Sequence, residues 1–445
     1  RSFVVMPSRQ QYDSKVFVRV RPQVFDGGGH DQSKPGVAKC LAGWTDTSVR
    51  IDSEYMFSDD SAVYSFPTKV LGDDATQEDV FEQFAPAGEE FSKFGGKNVL
   101  LMNYGQTGCG KTHTTFGTDV SLTSRTPHKG WGYMPRLMRK LYVDLEENID
   151  IRFHLQVYSV EFYEMGVFDL LGDRNALSLG RDFKPMNAKH FDAPNFSTFM
   201  DLFQTILKRR QTRSTKMNTA KEDHAGSSRS HCAICLKLWQ YSKAQNSVSE
   251  TLMEIVDLAG AERPSKTGEA RLSSYDVMVA MVSGKPLPTG AQGILINYEL
   301  FEFGSQCVIC HDAKKKSKGK TPYKVPQQLG SPFMQFLSSS ACNDKSLLYV
   351  ITCVSQAPSN GWETWFSMQY GNNCSKVINY VSPAAVKKLP GALKEAIEQE
   401  KKYAALIQTA PTSKSQKKYF PARQNDHFLA AEKCRIYQSF QSGEK

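Results

Sequence analysis

No apolar run in the chain approaches the roughly 20 residues of a membrane-spanning helix. No secretory signal is visible at the start either, so a helical membrane protein is not expected. Heptad repeats sustained over three or more units are also missing from the segment after about residue 383, so that segment alone predicts no coiled coil. Ten cysteines are present without the rhythm of a disulfide scaffold, which points to a reducing intracellular compartment. Two Cys-x-x-Cys pairs, Cys232/Cys235 and Cys307/Cys310, could in principle make a four-thiolate zinc site. They lie in apolar runs, "HCAICLKLW" and "SQCVIC", rather than on glycine-rich knuckles, and buried free thiols are the favoured reading. Charge of one sign is only mildly in excess: the formal net charge is +9 over 445 residues. That suits an acidic partner (nucleic acid, a membrane surface or an acidic protein polymer) without choosing among them.

What the chain has is enough apolar content for a large core, 40%, and a mixture of strand and helix patterns from residue 16 to about 380 with no clear linker. One α/β domain is expected there. "VFVRVRP", residues 16–22, alternates and ends on proline, so it reads as a strand. "TQEDVFEQFAPAGEEFSKF" has helical spacing, with Thr76 as N-cap and Asp79 three residues on. "DIRFHLQVYSVEFYE", "SSRSHCAICLKLWQYS" and "SETLMEIVDLAG" read as strands, and "TFMDLFQTILKRRQTR" as an amphipathic helix. Beyond residue 383 the composition shifts to a charged helix, a polar linker "TAPTSKSQKK" and a last short helix around "NDHFLAAEKCRIYQSF". The division expected is 1–383 and 384–445. The first residue is Arg1 rather than Met, as expected of a fragment.

The stretch with chemistry in it follows the short buried strand "NVLLMNY". Gly105-Gln106-Thr107-Gly108-Cys109-Gly110-Lys111-Thr112 is a phosphate loop between a strand and a helix starting near Lys111. Backbone N–H groups of such a loop converge on phosphate oxygens, and the helix N-terminus adds positive potential. Lys111 would reach the β- and γ-phosphates, and Thr112 would offer its hydroxyl to Mg²⁺. Downstream, "SSRSH" (Ser227 to His231) clusters hydroxyls around an arginine. "DLAGAE" (Asp257 to Glu262) ends a strand, where Asp257 suits a water-mediated Mg²⁺ contact and the Gly260 N–H can sense a γ-phosphate. Loops of this kind order on the γ-phosphate and relax after hydrolysis.

Taken together these motifs resemble the kinesin motor domain. The family's V-x-V-R-x-R-P strand is Val16 to Pro22 here. Its A-Y-G-Q-T-G-S-G-K-T is present with Asn103 for the alanine and Cys109 for the serine. S-S-R-S-H is unchanged, and D-L-A-G-S-E has Ala261 for the serine. "YSVEFYEMGVFDLL", "RSTKMN" and "SKTG" fit further family stretches, and the resemblance covers residues 15 to 382.

It implies a P-loop NTPase of kinesin fold, with a central, mostly parallel β-sheet flanked by helices on both faces. It also implies ATP and ADP as nucleotides and Mg²⁺ as cofactor. By similarity, Arg19 and Pro22 flank the adenine with His113 on its other face, and Gly105, Gln106, Thr107, Gly108, Cys109, Gly110, Lys111 and Thr112 hold the phosphates. Ser228 joins Thr112 and Asp257 around Mg²⁺, Ser227 places the attacking water, and Arg229 pairs with Glu262 to close the site. Positioning and charge stabilisation of this kind are what phosphoryl transfer needs.

The same resemblance makes microtubules the partner, through α/β-tubulin, and the cytoplasmic cytoskeleton the location, axoneme or spindle included. Tubulin-facing residues would be Lys266 and the run Lys314, Lys315, Lys316, Lys318, Lys320 and Lys324, six lysines within eleven residues. Such a patch would tether acidic tubulin tails in a salt-dependent way. Nucleic acid and a membrane span are not expected as partners, and dimerisation would run through regions outside these residues.

The departures gather on the track side. I-N-K-S-L is Ile296-Asn297-Tyr298-Glu299-Leu300, preceded by about sixteen extra residues around "VMVAMVSGKPLPTGAQ". S-K-L-T after Pro322-Tyr323-Lys324 is not recognisable, and the neck-linker pattern is altered. "TAKEDHAG" lengthens the loop before Ser227. Two function classes follow: an ATP-hydrolysing microtubule motor, with plus-end movement by family analogy, and a microtubule-associated structural protein of kinesin fold that steps poorly or not at all. A small-molecule kinase would explain neither "VFVRVRP" nor "SSRSH".

Overall fold

A computed structural model of the chain describes residues 9–22, 39–52, 54, 63–66, 68–217, 230–261, 273–283, 291–326, 330–408 and 411–443. In chain order the elements that position the site are β1 (Gln10–Asp13), β2 (Lys15–Val20), β3 (Lys69–Leu71), α1 (Gln77–Ser92), β4 (Asn98–Tyr104), α2 (Lys111–Thr115), α3 (Tyr133–Glu147), β5 (Ile151–Tyr163), α4 (Phe196–Met217), β6 (His231–Ser242) and β7 (Ser247–Asp257). They are followed by α5 (Gln292–Ser317), α6 (Pro332–Ala341), β8 (Ser346–Val354), α7 (Gly361–Cys374), β9 (Ile378–Val381), β10 (Lys387–Lys388), α8 (Leu389–Ile407) and α9 (Lys414–Ser442).

The central sheet runs β5-β6-β7-β4-β8-β2-β3, extended beyond β5 by three short strands. It is mixed. From β7 to β3 every pairing is parallel, whereas β5, β6 and β7 pair antiparallel. The parallel half carries the glycine loop, and its strands are apolar on both faces, as a sheet covered on both sides must be. β4 illustrates this. Val99 and Leu101 pack with Phe84 of α1, Leu137 of α3 and Phe203 of α4. Leu100 and Met102, one residue out of phase, pack with Phe303 of α5, Leu337 of α6 and Met368 of α7. The period-2 alternation of a strand thus sorts one short run into two cores.

Local signals held where they were chemical. Thr76 accepts from the Asp79 N–H at 3.2 Å, and the Asp79 carboxylate accepts from the Thr76 N–H at 2.7 Å, closing the capping box. All ten cysteines are free. Cys232 and Cys235 lie three apart on β6 and enter different core clusters, so they cannot chelate together. Among the described residues no cluster of three or more His, Cys, Asp or Glu side chains is placed to hold a metal ion, and no helix is long and apolar enough to cross a membrane.

The end of the chain differs from expectation. The second half of the stretch read as a polar linker, from Lys414 on, already belongs to α9. Ser413 accepts from the Gln416 N–H, and the Gln416 side chain returns to the Ser413 N–H at 3.1 Å, a capping box that starts the helix early. α8 and α9 form an antiparallel hairpin. Leu389, Leu393 and Ala396 at the start of α8 pack with Ile436, Tyr437 and Phe440 at the end of α9, over Trp239 of β6 and Val248 of β7. Lys433–Glu250 at 2.8 Å and Arg435–Asp192 at 3.2 Å border this contact.

Because Ile436 is fully buried in that small cluster, Ile436→Ala should cost the hairpin about 2–4 kcal/mol. Hydrogen exchange is expected to speed up in α8 and α9 while β4 and β8 keep wild-type protection.

Candidate functional site

The site is built where parallel strands end. β4 delivers the chain into the glycine loop. Gly105 has φ +143°, and a Cβ there would lie 2.2 Å from the Cys353 carbonyl of β8, so only glycine lets the loop turn this close to the neighbouring strand. Gly110, at φ +96°, caps α2. The buried Lys111 ammonium donates to the carbonyls of Gly105 and Gln106, 2.8 Å each, which aims it along the inside of the loop. The thiol of Cys109, buried, donates to the Gln106 carbonyl at 2.9 Å.

β7 ends beside it on Asp257, which is only 1% exposed. Thr112 Oγ1 lies 3.4 Å from Asp257 Oδ2, and Arg210, 2% exposed on α4, forms an ion pair with the same oxygen. Arg210 also donates to the Ser230 carbonyl at 2.9 Å, tying α4 to the start of β6. Arg210 was not singled out from the sequence; it sits in "KRRQTR", where only the helix register says which arginine turns inward. Asn103 is a second such residue. It donates to the Lys111 carbonyl at 3.2 Å and to Thr115 Oγ1, and accepts from the Leu258 N–H at 3.0 Å. One buried amide therefore joins α2 to the loop after β7, at a position where the family motif has alanine.

Around the loop a cleft of about 500 Å³ is lined by Arg19, Arg21, Pro22, residues 107–114 and Leu258. The sequence-predicted Arg19, Pro22 and His113 all border it. Arg19 donates to Gln77 Oε1 at 2.9 Å and Thr114 Oγ1 at 2.8 Å, which fixes it as a wall of the cleft. Arg21, donating to the Gly108 carbonyl, is an addition to the predicted set. Burial, then the charges of Arg19 and Arg21, push the His113 imidazole below its usual pKa, which favours the neutral ring suited to stacking.

Gly260 lies buried three residues past the end of β7. Ser227, Ser228, Arg229, Glu262 and Lys266 lie outside the described residues. The fit to Mg²⁺ rests on Thr112 and Asp257: both offer hard oxygens, and the buried Asp257 Oδ1 has no hydrogen-bond partner among the described residues.

The lysine run divides. Lys314 departs from the expected solvated patch: it is 1% exposed and its ammonium meets Asp344 Oδ1 at 2.5 Å, the Ile378 carbonyl at 2.8 Å and Asn379 Oδ1 at 2.8 Å. A buried ammonium needs such a set of acceptors, and Lys314 clamps α5 to β9. Lys315 and Lys316 belong to the last turn of α5, where cations suit the helix dipole, and these two with Lys318, Lys320 and Lys324 are exposed.

A glycine loop between a parallel strand and a helix, with an acidic strand end beside its threonine, defines a phosphate-loop nucleotide-binding protein. The kinesin motor domain family model matches residues 19–278, more than half of the chain, and the chain belongs to that family. It is 28% identical over 324 residues to the human chromosome-associated kinesin KIF4A, covering 72% of this chain and 24% of that protein. To the kinesin-like protein KIN-14I of Oryza sativa subsp. japonica it is 29% identical over 346 residues, covering 75% and 24%. The chain thus spans about a quarter of the length of the curated relatives it matches.

Among solved structures, a fast kinesin matches with TM-score 0.64 at 20% identity, covering 84% of this chain and 94% of that one. A KIF14 dimer bound to a microtubule gives the same score and identity, with 84% and 97% covered. These two establish the fold.

Asn103→Ala should leave the buried Leu258 N–H unpaired and cost about 1–3 kcal/mol. Chemical denaturation checks the size, and exchange at Leu258 checks that the loss is local.

Proposed function

We propose that this chain is the head of a microtubule-binding ATPase motor, with residues 1–383 as the motor domain and 384–445 as neck and helical extension. What carries the reading is the buried Arg210–Asp257 pair with Thr112 beside it, set at the mouth of a glycine loop whose lysine points inward. Residues 105–112 would hold the phosphates, Arg19, Pro22 and His113 the base with Arg21 beside them, and Thr112 with Ser228 and Asp257 the Mg²⁺, the aspartate through water. The bound Mg²⁺ supplies charge neutralisation on the phosphate oxygens. Lys111 adds a second positive charge, and the Gly260 N–H would report the γ-phosphate to the loop after β7. Arg229 and Glu262 would close the site, and Ser227 would orient the water. On the far side, exposed Lys315, Lys316, Lys318, Lys320 and Lys324, with Lys266, would steer and tether acidic tubulin segments. Cytoskeletal localisation follows from that partner.

A second reading, a lattice-binding protein that steps poorly, is favoured by one observation. The segment after α7 is held along the head. β9 pairs with β1 from Asp13↔Ile378 to Gln10↔Val381. The Ala384 N–H donates to the Gly96 carbonyl at 2.7 Å, β10 pairs with the start of β7, and the α8–α9 hairpin packs on top. A head whose neck stays docked in every nucleotide state would bind without producing a stroke.

ATPase rate with and without microtubules, combined with surface gliding, separates the two. Strong stimulation with gliding removes the structural reading, and tight binding without stimulation removes the motor. Lys111→Ala should cut turnover by about 10²-fold or more; unchanged turnover would show that the reaction occurs elsewhere.

Replacing Lys315, Lys316, Lys318, Lys320 and Lys324 with alanine should weaken microtubule affinity by about tenfold at low ionic strength, a difference that shrinks as salt is raised. Equal affinity at low salt would show that these lysines do not tether tubulin.

A further inference from the structure

The fourth residue of Ile296-Asn297-Tyr298-Glu299-Leu300 is a glutamate where the family's I-N-K-S-L has serine. It lies on α5 and is only 2% exposed. A carboxylate taken out of water is costly without a partner, so the question is what it faces. Its Oε2 lies 3.3 Å from Nε2 of His231, itself 2% exposed. Its other oxygen, Oε1, is buried and has no hydrogen-bond partner among the described residues.

His231 is the last residue of Ser227 to His231 and the first of β6. Its ring lies flat on Phe333 of α6, centroids 3.7 Å apart and planes 8° from parallel. Its Nδ1 accepts from the Ala259 N–H at 3.1 Å. A ring nitrogen that accepts carries no proton, so in the neutral imidazole the proton sits on Nε2, facing Glu299. Burial favours that neutral form, and Arg210 of α4 acts in the same direction, while Glu299 of α5 and Asp257 of β7 oppose it. One imidazole therefore touches three elements. Phe333 fixes its plane, Ala259 takes one nitrogen, and Glu299 faces the other.

Ala259 lies between Asp257 and Gly260, inside the loop that would sense the γ-phosphate. A flipped imidazole would present a carbon to the Ala259 N–H and leave that buried donor unpaired. A serine at 299 is two carbons shorter than glutamate and leaves a gap at Nε2.

We propose that Glu299 is a positioning residue: by fixing the rotamer and tautomer of His231 it holds the Ala259 N–H, and so couples the position of α5 to the loop that carries Asp257 and Gly260. The proposal rests on the ATPase reading for its consequence in turnover, but not for the contact itself.

The test uses the full 445-residue chain with Glu299→Ala, Glu299→Ser and Glu299→Gln, read in two ways. In amide hydrogen exchange without nucleotide, Glu299→Ala and Glu299→Ser should speed exchange at Ala259 by roughly three- to tenfold. Glu299→Gln, which keeps an acceptor oxygen facing Nε2, should stay close to wild type. Exchange in β4 and β8 should be unchanged in all three, which a merely loosened core would not allow. In steady-state ATP turnover, Glu299→Ala should lower kcat several-fold with KM for ATP unchanged, and Glu299→Gln should recover most of it.

Wild-type exchange at Ala259 in Glu299→Ala, or equal acceleration in Glu299→Gln, overturns the contact. Faster exchange with an unchanged kcat overturns the coupling. If wild type hydrolyses no ATP while the exchange pattern is as expected, the ATPase reading falls and the Glu299–His231 contact stands.

Discussion

A carboxylate at the end of a buried strand is the constraint around which the nucleotide end is arranged. Asp257 has almost no contact with solvent and would be strongly unfavourable there alone. Arg210 answers it from α4, and because that arginine is equally buried, neither charge tolerates loss of the other; breaking such a pair costs about 3–5 kcal/mol. The pair fixes where β7 ends relative to α4. It also sets Thr112 at the edge of the carboxylate and leaves Oδ1 buried without a hydrogen-bond partner among the described residues. The phosphate loop alone could bind an anion; under the proposed function, the acidic strand end would favour an anion accompanied by a cation.

From this pair the connections run outward through single buried polar side chains rather than through broad surfaces. Asn103 joins α2 to the Leu258 N–H, and His231 joins the Ala259 N–H to α5. Lys314 joins the far end of α5 to Asp344 and β9. Each is a point where a movement of one element must either be followed by the next or break a buried contact. Beyond β9 the chain is carried along the head to the hairpin of α8 and α9. Elements of the nucleotide end and of the neck side are thus linked by a short series of buried polar contacts.

Much of this was legible in the residues. β-Branched alternation marked the strands, "TQED" marked the α1 cap, and the glycine loop with its flanking strand and helix marked the phosphate site. The unreadable parts share a physical cause. Arg209 and Arg210 are adjacent, yet one donates to the carbonyls of Leu170 and Leu171 while the other neutralises Asp257. Nothing short of the helix register distinguishes them. Lys314 looks like its neighbours Lys315 and Lys316 until α5 is seen to turn it inward. Glu299 and Asn103 are polar residues inside a core, and their use is defined only by partners distant in sequence. The α8–α9 hairpin was hidden for the opposite reason: its apolar contacts are few and spaced among lysines and glutamates, so composition suggested a solvated extension.

The central claim is that Asp257, held by Arg210, makes nucleotide binding depend on Mg²⁺. Its most direct test is the affinity of the chain for ADP, titrated with and without Mg²⁺, in wild type and in Asp257→Asn. The account predicts that Mg²⁺ tightens ADP binding to wild type and that Asp257→Asn loses most of this gain while keeping the weaker, Mg²⁺-independent binding to the glycine loop. Equal Mg²⁺ dependence in the two proteins would contradict it.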